Sequence, residues 1–197
     1  MLGTDILTTT ETIGYLGLTV IIFAQTGLFF GFFLPGSSLV FSAGFIASQN
    51  IIHLGFLIPI LITASILGNL FAYWTGKRFG SWLKNRRDTW YYKKKYLKKT
   101  EKFYKKHGRK TIFLARFIPI DRTFAPIVAG IASMKFSQFI TYNIASGIFW
   151  ITSVSLAGYY FGQSIPNVDQ YLIPILTVII FLSVIPIIWD WFQSKNK

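Results

Sequence analysis

Hydrophobic positions along this chain come in long runs, not in the alternating or one-sided patterns of soluble strands and helices. Three runs, at 51–75, 139–162 and 170–192, each hold the roughly 20 apolar residues that a helix needs to cross a hydrocarbon core of about 30 Å. Two further runs are apolar but interrupted. The first, at 13–47, carries Gln25 inside it and a Pro35-Gly36 break followed by Ser37 and Ser38. The second, at 111–133, carries Arg116, Asp121 and Arg122 together with Pro119 and Pro126. Proline removes a backbone donor, and unpartnered backbone cannot face lipid, so such breaks belong where the chain lines a protein-enclosed or watery cavity. The pattern predicts an all-α membrane protein forming a single domain over 1–197. In it, a re-entrant hairpin precedes a transmembrane helix twice, and an additional C-terminal transmembrane helix follows. A second reading stays open for the first run, because 13–34 alone is long enough to span, which would change the side of the N-terminus.

Charge then changes the picture. Residues 77–110 hold 15 of the 20 Lys and Arg against Asp88 and Glu101, so this stretch alone carries the formal net charge of +13 and the remainder is neutral. A basic chain might suggest nucleic acid, but 52% hydrophobic and 18% aromatic residues against 14% charged argue otherwise. The layout is that of a polytopic membrane protein with one large basic loop, expected to be cytoplasmic together with the tail Lys195-Asn196-Lys197. The 139–162 span then runs outward and the 170–192 span inward. That makes 111–133 a hairpin entering from the cytoplasmic side and, with an external N-terminus, 13–47 one entering from outside. The acidic start MLGTDILTTTET has no signal-peptide character, so the first apolar run is expected to be retained.

A repeat hint supports the two hairpins. Phe33-Leu34-Pro35 is followed by Ala43-Gly44, and Phe117-Ile118-Pro119 by Ala129-Gly130. Each broken run precedes a span ending in Tyr-x-x-Gly, at Tyr73/Gly76 and Tyr159/Gly162; the Ala-Gly and Tyr-x-x-Gly elements both recur at an offset of 86. With opposite entry sides the two units would form an inverted repeat, an architecture that transporters use.

Arg116, Asp121 and Arg122 are the sharpest candidates for chemistry. A central Arg or Asp costs about 2.5–3.5 kcal/mol to insert, so three in one apolar segment need partners or water. One reading is an anion site in which guanidinium groups clamp a phosphate. The other is an Arg–Asp pair that holds the hairpin shut, or a hairpin shallow enough for the arginines to snorkel. Gln25, Ser37 and Asn69 can hydrogen-bond a polar ligand or simply join helices. None of the three changes charge, so none carries a proton. Without cysteine there are no disulfides or thiolate ligands, and His53 and His107 have no carboxylate close in sequence, so no metal, cofactor or catalytic dyad is expected. In the basic stretch, Tyr92, Tyr96, Phe103 and His107 recur at helical spacing, Leu97 and Tyr104 widen the stripe, and Gly108 reads as the stop. Such a helix either lies on an anionic leaflet or serves only as a solvated topological anchor.

These residues also resemble a family. Phe113 to Pro119, Arg122-Thr123-Phe124-Ala125-Pro126, Ala129-Gly130, Met134, Phe139, Asn143, Gly147 and Trp150 look like the hallmark of the DedA (VTT, or SNARE-associated-like) membrane proteins. Upstream, Phe33 to Gly36, Ala43-Gly44, Gly68, Tyr73, Gly76 and Gly80 also fit. The resemblance implies an inner-membrane transporter with two re-entrant hairpins in inverted repeat. It further implies movement of a phospholipid or polyprenyl phosphate between leaflets, dependent on the proton-motive force in several bacterial members. Members typically carry acidic residues about where Gln25 and Ser37 stand, and often at Asn69. Here all three are neutral, both arginines remain, and Asp121 replaces a usually apolar residue.

The expectation is a lipid flippase or scramblase that is not an enzyme. Arg116, Arg122, Gln25 and Ser37 would hold the lipid phosphate, and Asp121 is the candidate for proton or ion coupling. Pro35, Gly36, Pro119 and Pro126 would form the hairpin breaks. Undecaprenyl phosphate is the favoured substrate, ahead of phosphatidylethanolamine or another phospholipid, with no nucleic acid partner. The alternative is a proton- or cation-coupled exporter of small solutes.

Overall fold

The computed structural model describes residues 2–33, 36–85 and 94–164. Among them it is entirely helical: α1 (Leu2–Gly27), a 3₁₀ turn at Phe29–Phe33, α2 (Gly36–Ser48), α3 (Leu54–Asn85), α4 (Lys94–Ala115), α5 (Pro119–Ile131) and α6 (Phe136–Gln163). Pro35, Tyr92 and the span expected at 170–192 lie outside the described residues. Two helices, Leu54–Trp82 within α3 and Phe136–Gln163, are long and apolar enough to cross a membrane. They also leave large apolar side chains outward, among them Phe56, Leu67 and Phe71 on α3 and Ile148 and Phe149 on α6, as a protein solvated by hydrocarbon does. By contrast, α2 and α5 have 13 residues each. At 1.5 Å per residue they reach about 20 Å, short of the hydrocarbon thickness.

The structure corrects three boundaries. The first break opens at Gly27, ahead of Pro35-Gly36, because α1 runs unbroken for 26 residues and gives way to the 3₁₀ turn. There Gly31 lies so close to the backbone of Ala24 and Gln25 that a Cβ would collide with it. The basic stretch at 77–110 is not a separate insert either. Its first residues continue α3 to Asn85, and its last belong to α4, which runs on to Ala115. Gly108 therefore does not end the helix. It sits opposite Met134, whose Sδ would be 3.2 Å from an added Cβ, on a face where Tyr104, Ile112 and Ala115 are also buried. Phe103 and His107, with rings 5.3 Å apart, stay on the exposed side, so the expected aromatic stripe divides between two faces.

The helices group into two compact units. Among the described residues the first contains 2–21, 33, 36–61 and 151–164, and the second contains 22–32, 62–85 and 94–150. In the second unit α5 packs on α3 through glycine. A Cβ on Gly76 would strike the carbonyl of Ile127, one on Gly80 would strike Ile131, and one on Gly130 would strike Tyr73. In the first unit α2 packs on α6 by the same device. Gly158 meets Phe41, Gly162 meets Phe45 and Ser48, and Gly44 meets Ser155. The short-helix positions 41, 44 and 45 correspond to 127, 130 and 131, the offset of 86 seen in the sequence. The long-helix positions 155, 158 and 162 correspond to 73, 76 and 80, one turn short of it. The long-helix equivalence is therefore Gly-x-x-x-Gly, at Gly76/Gly80 and Gly158/Gly162, instead of Tyr-x-x-Gly. Small residues at this spacing let helix backbones approach where lipid offers no hydrophobic drive.

After α5, Ser133 takes the left-handed conformation (φ 52°), and the N–H groups of Ser133 and Met134 donate to the carbonyls of Gly130 and Ala129 at 2.9 and 3.0 Å. This is the Schellman closure that ends the short helix. Tyr73 then fastens it: its hydroxyl donates to the Met134 carbonyl at 2.6 Å, and its ring stacks on Phe139 at 4.4 Å.

Gly76→Leu and Gly130→Leu are expected to destabilise the protein by about 1–3 kcal/mol or more through overpacking. Gly14→Leu, where an added Cβ meets nothing within 4 Å, should leave thermal unfolding in detergent unchanged.

Candidate functional site

The second broken segment builds the site. At the end of α4 the N–H groups of Arg116, Phe117 and Ile118 reach back only three residues, to the carbonyls of Phe113, Leu114 and Ala115 at 3.4, 3.1 and 3.2 Å. Ile118 is extended (φ −105°, ψ 121°), and Pro119, which has no N–H to donate, takes the first position of α5. Arg116 therefore stands just before the break and Arg122 just after it. Pro126 lies buried within α5.

Three other stretches of the second unit converge here. The end of α1 meets α3 almost backbone to backbone, since a Cβ on Gly27 would lie 3.1 Å from the Gly68 carbonyl oxygen. Beside that contact is a small cavity of about 10 Å³, room for about one water. Gln25 and Thr26 from α1, Ser65 and Asn69 from α3, Arg116, Arg122 and Trp150 line it. The structure thus brings Gln25 to both arginines, and Gln25 is only 2% exposed.

Arg116 is 6% exposed and is held from two sides. Its Nη1 donates to the Oδ1 of Asn143 at 3.2 Å, and to the Asn143 carbonyl and the Ser146 hydroxyl at 3.4 Å each. Its Nη2 donates to the hydroxyl of Ser65. Asn143, fully buried, is the hub. Its Oδ1 also accepts from Asn69 Nδ2 at 2.8 Å, and its own Nδ2 donates to the Ile66 carbonyl at 3.3 Å. Every described hydrogen bond of Arg116 goes to a neutral group. Arg122 lies over the ring of Trp150, its Cζ 5.4 Å from the centroid, a cation–π placement. Among the described residues no carboxylate lines the cavity, and no His, Cys, Asp and Glu cluster could hold a metal. The arrangement therefore solvates the Arg116 guanidinium with neutral acceptors drawn from α3 and α6.

Asp121 occupies the first turn of α5 and is exposed, where a negative charge suits a helix N-terminus. Its charge is felt at Tyr104, in the basic helix α4, whose phenol burial pushes up to about 12, Asp121 adding to the shift. Ser37 follows Gly36 in the first turn of α2, half-buried, in the first unit.

Sequence reasoning left Ser65 and Ser146 unnamed, and Asn143 and Trp150 without a role. The signal was present as spacing. Ser65 and Asn69 are four apart in α3, and Asn143, Ser146 and Trp150 follow at i, i+3 and i+7 in α6, so each set shares one helix face.

Residues 34–160 match the family model described as the VTT domain. The chain is similar to the protein DedA of Escherichia coli K12, 41% identical over 184 residues that make up 92% of this chain and 84% of that protein. It is also similar to an uncharacterised membrane protein of Mycobacterium leprae, 37% identical over 90% of this chain and 81% of the relative. The inner membrane protein YghB of Salmonella typhimurium is 31% identical over 88% of this chain and 77% of its own. No solved structure matches the chain.

Asn143→Ala removes one partner each from Arg116 and Asn69 and should lower unfolding stability by about 2–3 kcal/mol. Ile148→Ala, on the exposed face of the same helix, should stay within about 0.5 kcal/mol of the parent. Denaturant unfolding in detergent checks both.

Proposed function

The chain belongs to the VTT-domain family of DedA-like integral membrane proteins, and on that premise we propose that it moves a phosphate-bearing lipid between the leaflets of a bacterial inner membrane, without altering the lipid chemically. One observation carries this reading: Arg116, which shares a buried cavity with Arg122, makes every described hydrogen bond to an amide, carbonyl or hydroxyl group. Neutral dipoles can solvate a guanidinium but leave its charge in place, and a charge in low dielectric is stabilised most by an opposite one. A lipid phosphate supplies that charge, and guanidinium groups match its oxygens in bidentate geometry. Undecaprenyl phosphate, with its phosphomonoester, suits two cations better than a zwitterionic phospholipid does.

The two broken segments act, in this proposal, as re-entrant hairpins of an inverted repeat. Support comes from the 13-residue helices, too short to cross, and from the glycine packing shared by the two units. Ser37, at the equivalent break of the first hairpin, would meet the headgroup as it moves. The cavity of about 10 Å³ is too small for a phosphate, so it has to widen for a headgroup to enter.

Proton coupling would not run through the cavity. Gln25 and Asn69 stand where carboxylates are usual in the family, and neither titrates. Asp121 is the remaining candidate, acting from the exposed start of α5.

The test is a reconstituted flipping assay with fluorescent polyprenyl phosphate, run with and without a pH gradient. Arg122→Ala should slow flipping by about ten- to a hundredfold, the loss of one charge-assisted contact. Arg116→Ala should do at least as much. Asn143→Asp, which places a carboxylate against Arg116 with little change of shape, should stay folded and lose most transport. If Asp121 couples, Asp121→Asn abolishes any response to the gradient while flipping continues. Full activity in folded Arg116→Ala and Arg122→Ala proteins would refute the assignment.

A further inference from the structure

The face of α3 opposite its glycines carries an arrangement that the transport site does not use. Phe71, Trp74, Lys77, Arg78, Ser81 and Trp82 line an open hollow of about 660 Å³, separate in every residue from the arginine cavity. Trp74 is 56% exposed and Trp82 is 47% exposed, whereas Tyr73, Gly76 and Gly80 on the other side of the helix are buried against α5. The hollow occupies the end of the apolar stretch Leu54–Trp82, where α3 leaves the hydrocarbon.

Its chemistry is graded along the helix. Phe71 comes first, on the apolar side, then Trp74, then the cations Lys77 and Arg78, then the Ser81 hydroxyl. At 1.5 Å per residue this gradient covers about 15 Å, enough to cross the roughly 5–8 Å polar region of one leaflet and reach into its hydrocarbon. One cation and one indole of the hollow have ring partners. The Lys77 ammonium lies 5.4 Å from the centroid of the Trp74 ring, and Trp82 stacks on Phe79 at 5.4 Å. Indole rings favour the membrane–water boundary, and basic side chains extend along apolar surface to reach it.

We propose that this hollow is a binding site for the phosphate headgroup of an anionic phospholipid, drawn from the leaflet that the basic end of α3 faces. Lys77 and Arg78 hold the phosphate, Ser81 donates to it, and Trp74 and Trp82 flank the glycerol. Phe71 receives the first segment of an acyl chain. The lipid bound here is a resident of the interface and not the transported one, so the site stands whether or not Arg116 and Arg122 bind substrate.

The full chain, reconstituted in vesicles, tests this by tryptophan quenching. Quenching by brominated phosphatidylglycerol is compared with quenching by brominated phosphatidylcholine at equal mole fraction. The part that disappears in Trp74→Phe/Trp82→Phe is assigned to the hollow. At about fivefold for each basic residue near an anionic surface, Lys77 and Arg78 together should favour phosphatidylglycerol by about thirtyfold at low salt. The preference should vanish in Lys77→Gln/Arg78→Gln at unchanged thermal stability. Equal quenching by the two lipids, or a preference that survives that variant, would overturn the proposal. Absence of quenching by either lipid would also overturn it, because protein would then cover the face. Loss of the preference on adding inorganic phosphate, beyond the effect of chloride at equal ionic strength, would assign the cations to a free anion instead.

Discussion

A guanidinium enclosed in a membrane protein has to be solvated by the protein itself, and much of this structure follows from how Arg116 meets that demand. Five donors in a plane need acceptors from more than one direction. Ser65 supplies one from α3, while Asn143 and Ser146 supply the others from α6. Even the absence of a side chain contributes, because a Cβ on Gly147 would come within 3.4 Å of Nη2. A single buried charge therefore ties the second-unit parts of α3 and α6 to the break between α4 and α5. The same constraint favours neutral acceptors. A carboxylate at Asn143 would satisfy the arginine fully and leave nothing for an anion to do.

Around that charge the fold is assembled from small residues. Helices in lipid gain little from hiding apolar surface, so they associate through close backbone contact. The two units meet this requirement with one pattern, a Gly-x-x-x-Gly stretch in a long helix against a 13-residue helix that also carries glycine. The chemistry is not duplicated with the scaffold. At the offset of 86 that relates the short helices, Arg116 and Arg122 correspond to Phe30 and Gly36. Of the two similar supports, only the one that carries the second break bears the charged site.

Much of this was legible in the sequence. The all-helical membrane class followed from run length, and the site's arginines stood out because ionisable residues are rare in apolar segments. The breaks were legible only in part. Pro119 stands at the second one, whereas Pro126, also expected to form a break, lies inside α5; the first opens at Gly27, where crowding of Gly31 against Ala24 and Gln25 decides the turn and no composition signal announces it. Gly108 misled for a related reason: a glycine near the end of a basic stretch looks like a stop, whereas here it makes room for Met134. The asparagine and serine partners of Arg116 were hidden because each alone is an ordinary polar residue in a helix. Only the fold shows that they meet around one cation.

The central claim is that this cation cage exists for a phosphate. Equilibrium competition between a polyprenyl phosphate and the polyprenol of the same chain, measured on the purified protein in detergent, tests it most directly. Both offer the same hydrocarbon, and only one offers the charge. The account predicts that the phosphate displaces a labelled polyprenyl phosphate from the wild-type protein, that the alcohol does not, and that the difference disappears in Arg122→Ala. Equal displacement by the alcohol, or undiminished phosphate preference in that variant, would contradict it.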